Sequence, residues 1–332
     1  MKLVSYGHAY VGTGWAAGGE TTLHDLLAYL VQRGWDAEFI LSEPARNGAE
    51  DQIIDGVKVR AYTDNQQPNR AIAGADLVIS HLGGAQRSSI IAKNNKVPSV
   101  HVIHNDDPYT LGMSKHANFL IYNTEWILRE FRNRKCIRPP GMVVRPPVNP
   151  ENYLCRSTRK FITCINLADG TLHYDKGPKT FYEMAKRFPD EQFLGVQGAY
   201  GTQDLRSLPN VTLMDHTDDI KKAYRLSKVI LSPSQYESYG RVPIEAACSG
   251  IPTVSSRATG FLESGIPVLN AEFGDYDAWE KALSEVLSNY QTYSKQAKVA
   301  AHTTWKRSEV ELNDFGDEML SLATAYRRNR WR

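Results

Sequence analysis

A chain of 332 residues exceeds what one ordinary core sustains, so two domains of about 150 residues each are expected. With 42% hydrophobic and 23% charged residues, and 39 basic side chains against 37 acidic ones, the composition is globular and its bulk charge selects no class of partner. No apolar run approaches the roughly 20 residues that span a bilayer, MKLVSYGHAY reads as a first strand and not as a leader, and Cys136, Cys155, Cys164 and Cys248 show no metal-ligand spacing, so a cytoplasmic protein with reduced thiols is expected.

Short β-branched runs alternate with amphipathic stretches along the whole chain, the pattern of stacked βαβ units around parallel sheets. In the first half the spacing predicts strands at Lys2 to Tyr6, Asp36 to Leu41, Val57 to Tyr62, Asp76 to His81, Ser99 to His104, Asn118 to Tyr122 and Met142 to Arg145. Leu23, Leu26, Leu27, Leu30 and Val31 repeat as one buried helical stripe, and Gly34 closes that helix. The prolines of RPPVNPENY, Arg145 to Tyr153, mark a linker. The second half carries predicted strands at Phe161 to Leu167, Gln192 to Val196, Val211 to Met214, Lys228 to Ser232, Thr253 to Ser255 and Val268 to Asn270. A capping-box spacing from Ser308 to Glu311 predicts that a last helix begins there and carries Leu312, Phe315, Met319 and Leu322 back to the first domain. The expected division is 1–148, 149–310 and a terminal helix over 311–332.

The segment SPSQYESYGRVPIEAACSGIPT, Ser232 to Thr253, places Glu237 and Glu245 eight positions apart in a small, apolar setting. Pro243 suits the first turn of a helix, Gly250 its C-terminal cap and Pro252 its stop, so a short helix over Val242 to Ser249 is predicted, with Glu237 on the loop before it. Eight helical steps separate two side chains by about 12 Å along the axis, too far to share a proton or a metal. Each acid alone reads as an ordinary charge, Glu245 favoured by the helix dipole and Glu237 as a solvated loop residue. Their combination with the amides of Tyr239 to Val242, which no side chain is positioned to cap, points instead to a phosphate held between two diol-binding carboxylates. A nucleotide sugar has that form.

These residues resemble the glutamate, seven-residue, glutamate signature of the family 4 retaining glycosyltransferases. Here Tyr239 stands for the usual phenylalanine, Arg241 for an aliphatic residue and Ala247-Cys248 for Met-Ala. The resemblance runs in order along most of the chain. GTGWAAGGE, Gly12 to Glu20, is similar to the family's Gly-Gly loop, with Gly18 and Gly19 near the donor; its glycines lack the GxGxxG spacing of a dinucleotide site. VPSVHVIHND ends a strand at His104, similar to the family histidine beside the transferred sugar, with His8, His81 and His101 as competitors for that place. FITCINLADGTLHYDKGPK resembles the strand and Lys-Gly that open the next helix. Lys176 would then face the diphosphate, while Asn166 occupies the place of a family arginine and Arg241 is the candidate to supply the missing cation.

The resemblance implies a GT-B fold, α/β, with two Rossmann-like domains facing each other across a cleft. It implies a retaining transfer of a hexose from a nucleoside-diphosphate sugar, UDP-sugar favoured, to an acceptor hydroxyl by front-face attack. His104, Lys176 and Glu237 would be catalytic, and Gly18, Gly19, Asn166, Ser238, Tyr239, Gly240, Arg241, Val242 and Glu245 would join Lys176 and Glu237 in holding the donor. No cofactor and no metal are expected; Asp106 and Asp107 were the acidic pair to consider, and Asp218 and Asp219 read as helix-start residues. The alternatives are a degenerate sugar-nucleotide-binding protein, motivated by Asn166, and a GT-B nucleotide-sugar epimerase. The acceptor stays open among glycan, lipid, protein and modified nucleic acid. Basic runs at 129–138, 156–160 and the C-terminal RRNRWR offer a peripheral anionic contact, though such runs are more often solvated faces.

Overall fold

The computed structural model describes residues 1–14, 16–42, 50–61, 63–134, 138–170, 175–199 and 201–330. Trp15, Tyr62, Cys136, the middle of the basic run at 129–138, the last two residues of the terminal one and part of the loop before Lys176 lie outside them. The chain divides into two compact units, Met1–Pro147 with Ser308–Arg332, and Val148–Arg307.

In the first unit, β1 (Lys2–Gly7) leads to α1 (Gly18–Gln32) and β2 (Asp36–Leu41), followed by β3 (Gln52–Ile54), β4 (Val57–Ala61), α2 (Gln67–Ala73), β5 (Leu77–His81), α3 (Leu82–Asn94), β6 (Ser99–Ile103), α4 (Pro108–Ser114), β7 (Phe119–Tyr122), α5 (Glu125–Asn133) and β8 (Gly141–Val143). The sheet order is β3-β4-β2-β1-β5-β6-β7-β8. Pairing is parallel except between β3 and β4. Strands β5, β6 and β7 are buried along their whole length because helices cover both faces of such a sheet, which is why their sequences run apolar without alternation. On α1, Leu23, Leu26, Leu27 and Leu30 are fully buried and Val31 half-buried; Gly34 closes the helix at φ +86°, with the Trp35 amide donating to the Leu30 carbonyl. The hairpin from β3 to β4 contains β3, the one strand of this sheet that the sequence reading missed. Its turn is Asp55-Gly56, both at positive φ, a dipeptide suited to tight hairpins.

The second unit contains α6 (Pro150–Tyr153), β9 (Phe161–Ile165), α7 (Pro178–Arg187), β10 (Gln192–Val196), β11 (Val211–Met214), α8 (Lys221–Tyr224), β12 (Ser227–Ser232), α9 (Arg241–Cys248), β13 (Thr253–Ser256), α10 (Thr259–Ser264), β14 (Leu269–Ala271), α11 (Tyr276–Ser288) and the start of α12 (Tyr290–Arg330). The six strands are parallel in the order β11-β10-β9-β12-β13-β14. Ile162, Phe181, Phe193, Leu231 and Trp279 form the largest cluster of its core.

Two expectations need correction. No helix begins at Ser308: α12 is continuous from Tyr290, and Ser308 lies within it with a buried hydroxyl that has no hydrogen-bond partner. The residues before it, QTYSKQAKVAAHTTWKR, contain neither Gly nor Pro, so nothing stops the helix from running through an apparent start signal. The proline-rich stretch at Arg145 to Tyr153 holds the boundary between the two units, as expected, but it is packed rather than a bare linker. Arg145 binds Glu311 through both its backbone N–H and its guanidinium, Val148 and Pro150 are buried, and Asn149 caps α6.

Candidate functional site

In the second unit, β10 and β11 extend the sheet to one side of β9, whereas β12, β13 and β14 extend it to the other. The strand order therefore reverses between β9 and β12, and the loops leaving their C-terminal ends part there. Open parallel sheets bind ligands at such a crevice. Lys176 lies on the loop after β9 and Glu237 on the loop after β12. The two side chains meet, with Lys176 Nζ donating to Glu237 Oε1 at 2.7 Å. The same oxygen accepts from Ser234 Oγ at 3.0 Å. An ammonium has three donors and an ionised carboxylate about four acceptor sites, so this ion pair keeps capacity on both partners for a ligand.

Backbone close to backbone fixes this meeting. The Gln235 amide donates to the Asp175 carbonyl, and Asp175 Oδ1 accepts from the Gly177 amide. Gly177 has φ +73°, and a Cβ there would stand 2.2 Å from the Pro233 carbonyl oxygen. Only glycine lets the two loops approach so closely. On the other side, Gly260 of α10 donates to the Glu237 carbonyl, and a Cβ on Gly260 would overlap the backbone of residues 237–239.

Helix α9 starts from Gly240 at φ +78°, with no side-chain cap. Its first residue, Arg241, and Glu245 form a buried pair: Arg241 Nε donates to Glu245 Oε1 at 3.0 Å, and Tyr224 donates to Glu245 Oε2 at 2.8 Å. A terminal nitrogen of Arg241 also reaches the Tyr153 hydroxyl. Burial and the adjacent carboxylate hold the Tyr224 phenol well above its usual range, so it remains a donor. Arg241 thus bonds both Glu245 and Tyr153. Tyr239 is buried in the apolar cluster with Val148, Ile244 and Ala301, and its hydroxyl accepts from Arg307. Ser238 and Val242 are half-buried. Asn166 adopts φ +72° at the end of β9, and its Oδ1 accepts from the Ala168 amide at 3.0 Å and from Gln203 at 3.3 Å. Its side chain shapes the loop that leads to Lys176, a task an arginine could not perform in that conformation.

The first unit has its own reversal of strand order, between β1 and β5. Gly18, exposed, and Gly19, half-buried, open α1 there, and Glu20 Oε2 accepts from the Ala17 amide at 3.0 Å. His104, just past β6, has Nε2 at 2.9 Å from Nδ1 of His81, the last residue of β5. A Cβ on Gly19 would lie 3.5 Å from the His104 ring. Asp107 caps α4, and Asp106 pairs with Arg134 at 2.9 Å, so both acids have structural work. Among the described residues Cys155, Cys164 and Cys248 are unpaired thiols, and burial pushes Cys164 and Cys248 up to about 12. Cys164 and Cys248 are therefore held as thiols at neutral pH. No helix among the described residues is long and apolar enough to cross a membrane.

Comparison with solved structures decides the architecture. HepE from Anabaena, solved with UDP-glucose, superposes with a TM-score of 0.74 at 16% identity over 97% of this chain and 99% of that one. Sucrose-phosphate synthase from Thermosynechococcus elongatus gives 0.68 at 16% identity over 98% of each chain. The trehalose-6-phosphate synthase OtsA gives 0.73 at 10% over 98% and 99%. The fold is GT-B. Residues 167–289 of this GT-B chain match the family described as "Glycosyl transferases group 1", a span that includes Lys176, Glu237 and Glu245. Among curated proteins, the D-inositol 3-phosphate glycosyltransferase of Corynebacterium diphtheriae is 27% identical over 256 residues, 64% of this chain and 59% of that one. A glycogen synthase of Mycobacterium tuberculosis is 27% identical over 177 residues, 47% of this chain and 40% of that protein. This GT-B chain therefore matches well under two thirds of the length of either relative.

Several contributors to the GT-B sites had no signal strong enough to single them out. Ser234 stands three residues before Glu237, a spacing that brings a hydroxyl back to a loop carboxylate only if the loop turns there. Tyr224 and Tyr153 lie 21 residues before Glu245 and 88 residues before Arg241, and only the packing of α6, α8 and α9 brings them together. Glu20 lies at the end of a glycine-rich loop, where its sequence position gives no sign that its side chain approaches His81.

Proposed function

We propose that this protein is a retaining glycosyltransferase that moves a hexose from a nucleoside-diphosphate sugar, a UDP-sugar favoured, to an acceptor hydroxyl. The observation that carries the reading is the Lys176–Glu237 ion pair at the strand-order reversal between β9 and β12, held at 2.7 Å beside the side-chain-uncapped start of α9. The match of residues 167–289 to the group 1 glycosyl transferases supports it, as do the UDP-glucose complex of HepE and the sugar-transfer names of the curated relatives.

On this reading the diphosphate lies against the first amides of α9 and the Lys176 ammonium. Both stabilise charge that grows as the nucleoside diphosphate departs. Glu237 accepts hydroxyls of the transferred sugar, and its bond from Lys176 orients both groups before the donor arrives. Glu245 is assigned to the ribose; its two bonds from Tyr224 and Arg241 fix its carboxylate and leave acceptor sites on an ionised group. The acceptor hydroxyl attacks the anomeric carbon on the face from which the leaving group departs, and its proton passes to the departing phosphate oxygen. No enzymic nucleophile, cofactor or metal is required by that route. His104, Gly18 and Gly19 are assigned to the transferred sugar and donor by the family resemblance.

The test is a screen of UDP-, GDP- and ADP-sugars for slow hydrolysis, read by mass spectrometry. At least one donor is expected to release its sugar, and Lys176→Ala or Glu237→Ala is expected to lower that rate roughly a hundredfold or more. Near-normal turnover in either variant would sink the assignment.

A further inference from the structure

The first unit carries a buried polar chain that the donor site of the second unit does not explain. His81 ends β5 with its side chain 1% exposed. Its Nδ1 lies 2.9 Å from Nε2 of His104, and its Nε2 faces Oε1 of Glu20 at 4.0 Å and has no hydrogen-bond partner. Glu20 itself is buried, with its other oxygen bonded by the Ala17 amide. A Cβ on Gly19 would lie 3.7 Å from both His104 Nε2 and His81 Nδ1, so this glycine stands beside the bond between the two rings. The residue after His81, Leu82, takes φ +45°, a left-handed conformation that strains a non-glycine residue. Such strain is kept where the surrounding structure requires one particular placement. Here it turns the chain sharply into α3, whose Gly84 could carry no Cβ against the Tyr6 carbonyl.

We propose that His81 is a positioning residue: it accepts a hydrogen bond from His104 Nε2–H, and Glu20 behind it favours that direction, so that His104 is held in one ring orientation with Nε2 protonated. The logic is one of tautomers. A neutral imidazole has one donor nitrogen and one acceptor nitrogen, and the bond at one sets the state of the other. The Ala17 amide needs an acceptor oxygen on Glu20, whose carboxyl is raised above the usual range by burial; when ionised, its second oxygen stands 4.0 Å from His81 Nε2, beyond hydrogen-bond reach, and its charge favours the proton there. Nδ1 of His81 is then a lone pair, and His104 must donate to it. The titratable groups around His81 are Glu20 from α1, His104 beyond β6, His101 from β6 and His8 beyond β1; burial, with the neighbouring imidazoles, keeps His81 well below the ordinary histidine range and therefore neutral. A neutral acceptor lets His104 keep its proton on Nε2 and fixes the plane of its ring.

This inference rests on the proposed function only for the catalytic use of His104, so the test reads the tautomer separately from turnover. Nitrogen-15 NMR of the histidine-labelled full chain is expected to show His104 protonated at Nε2. His81→Leu, checked for folding by its thermal melt, should lose that preference and lower kcat about tenfold to a hundredfold, with the donor KM nearly unchanged. His81→Asn puts an amide oxygen near the place of Nδ1 and should restore both. Glu20→Gln must keep its amide oxygen on the Ala17 N–H, which turns its NH2 towards His81 Nε2, and should move the His104 proton to Nδ1. Wild-type His104 protonated at Nδ1, or a tautomer that His81→Leu does not change, overturns the proposal. If His104→Ala turns over normally while the tautomer results hold, the catalytic assignment of His104 fails and the positioning by His81 stands.

Discussion

His101, in the middle of β6, is 1% exposed, and neither ring nitrogen has a hydrogen-bond partner. Burial, helped by His104, depresses it to about 3. The unfolded chain binds the proton near 6.5 and the folded chain only near 3, so between those values unfolding takes up a proton. Stability is therefore full above about pH 6.5 and falls with decreasing pH, by about 1.4 kcal/mol per pH unit from this side chain, until about pH 3. Urea midpoints measured from pH 7 to pH 4 should show that slope. His101→Leu removes two unsatisfied nitrogens at little loss of apolar volume, so it should flatten the profile and leave stability at pH 7 unchanged or raised. An unaltered slope in that variant would assign the acid sensitivity to other groups, His81 first among them.

At the scale of elements, the loops at the β9–β12 reversal depend on backbone contact more than on any side chain. Gly177→Ala sets a Cβ against the Pro233 carbonyl at a positive φ. The left-handed strain and the overlap together should cost about 2–4 kcal/mol and displace Lys176 from Glu237. A urea midpoint indistinguishable from wild type would show that the loop yields without cost. The same elements show how far local sequence reaches. Pro243 and Gly250 bracket α9 to within a residue of its predicted ends because both act through their own φ angles. Hydrophobic runs mark the buried strands for the same local reason. The Ser308 signal misleads, since a capping pattern creates a helix start only where the preceding residues disfavour helix, and Tyr290 to Arg307 do not.

At the scale of the whole chain, residues 308–332 belong to the first unit although their helix begins in the second. Phe315, Met319 and Ala323 are fully buried; Asp317 pairs with Arg33, Glu311 with Arg145 and Arg327 with Asp76. Removing residues 308–332 should thus destabilise the first unit selectively. Hydrogen exchange is expected to speed up in β1, β5 and β6 while β9, β10 and β12 keep their protection. Equal loss of protection in both units would mean that neither folds without the other.

By itself the sequence determined the alternation of strands and helices, the GT-B fold through its resemblance, and the pair of acids on either side of a helix start. Those features act through nearest neighbours in the chain or through a fixed spacing. Tertiary structure alone decided what each charged group meets. Lys176 finds Glu237 because β9 and β12, distant in sequence, are adjacent in the sheet. Arg241 meets Glu245 one helical turn on by local spacing, but only the packing of α6 and α8 brings Tyr153 and Tyr224 to that pair. His81 meets His104 because β5 and β6 are paired. A hydrogen bond needs two atoms about 3 Å apart, and only the packing of distant segments sets that distance.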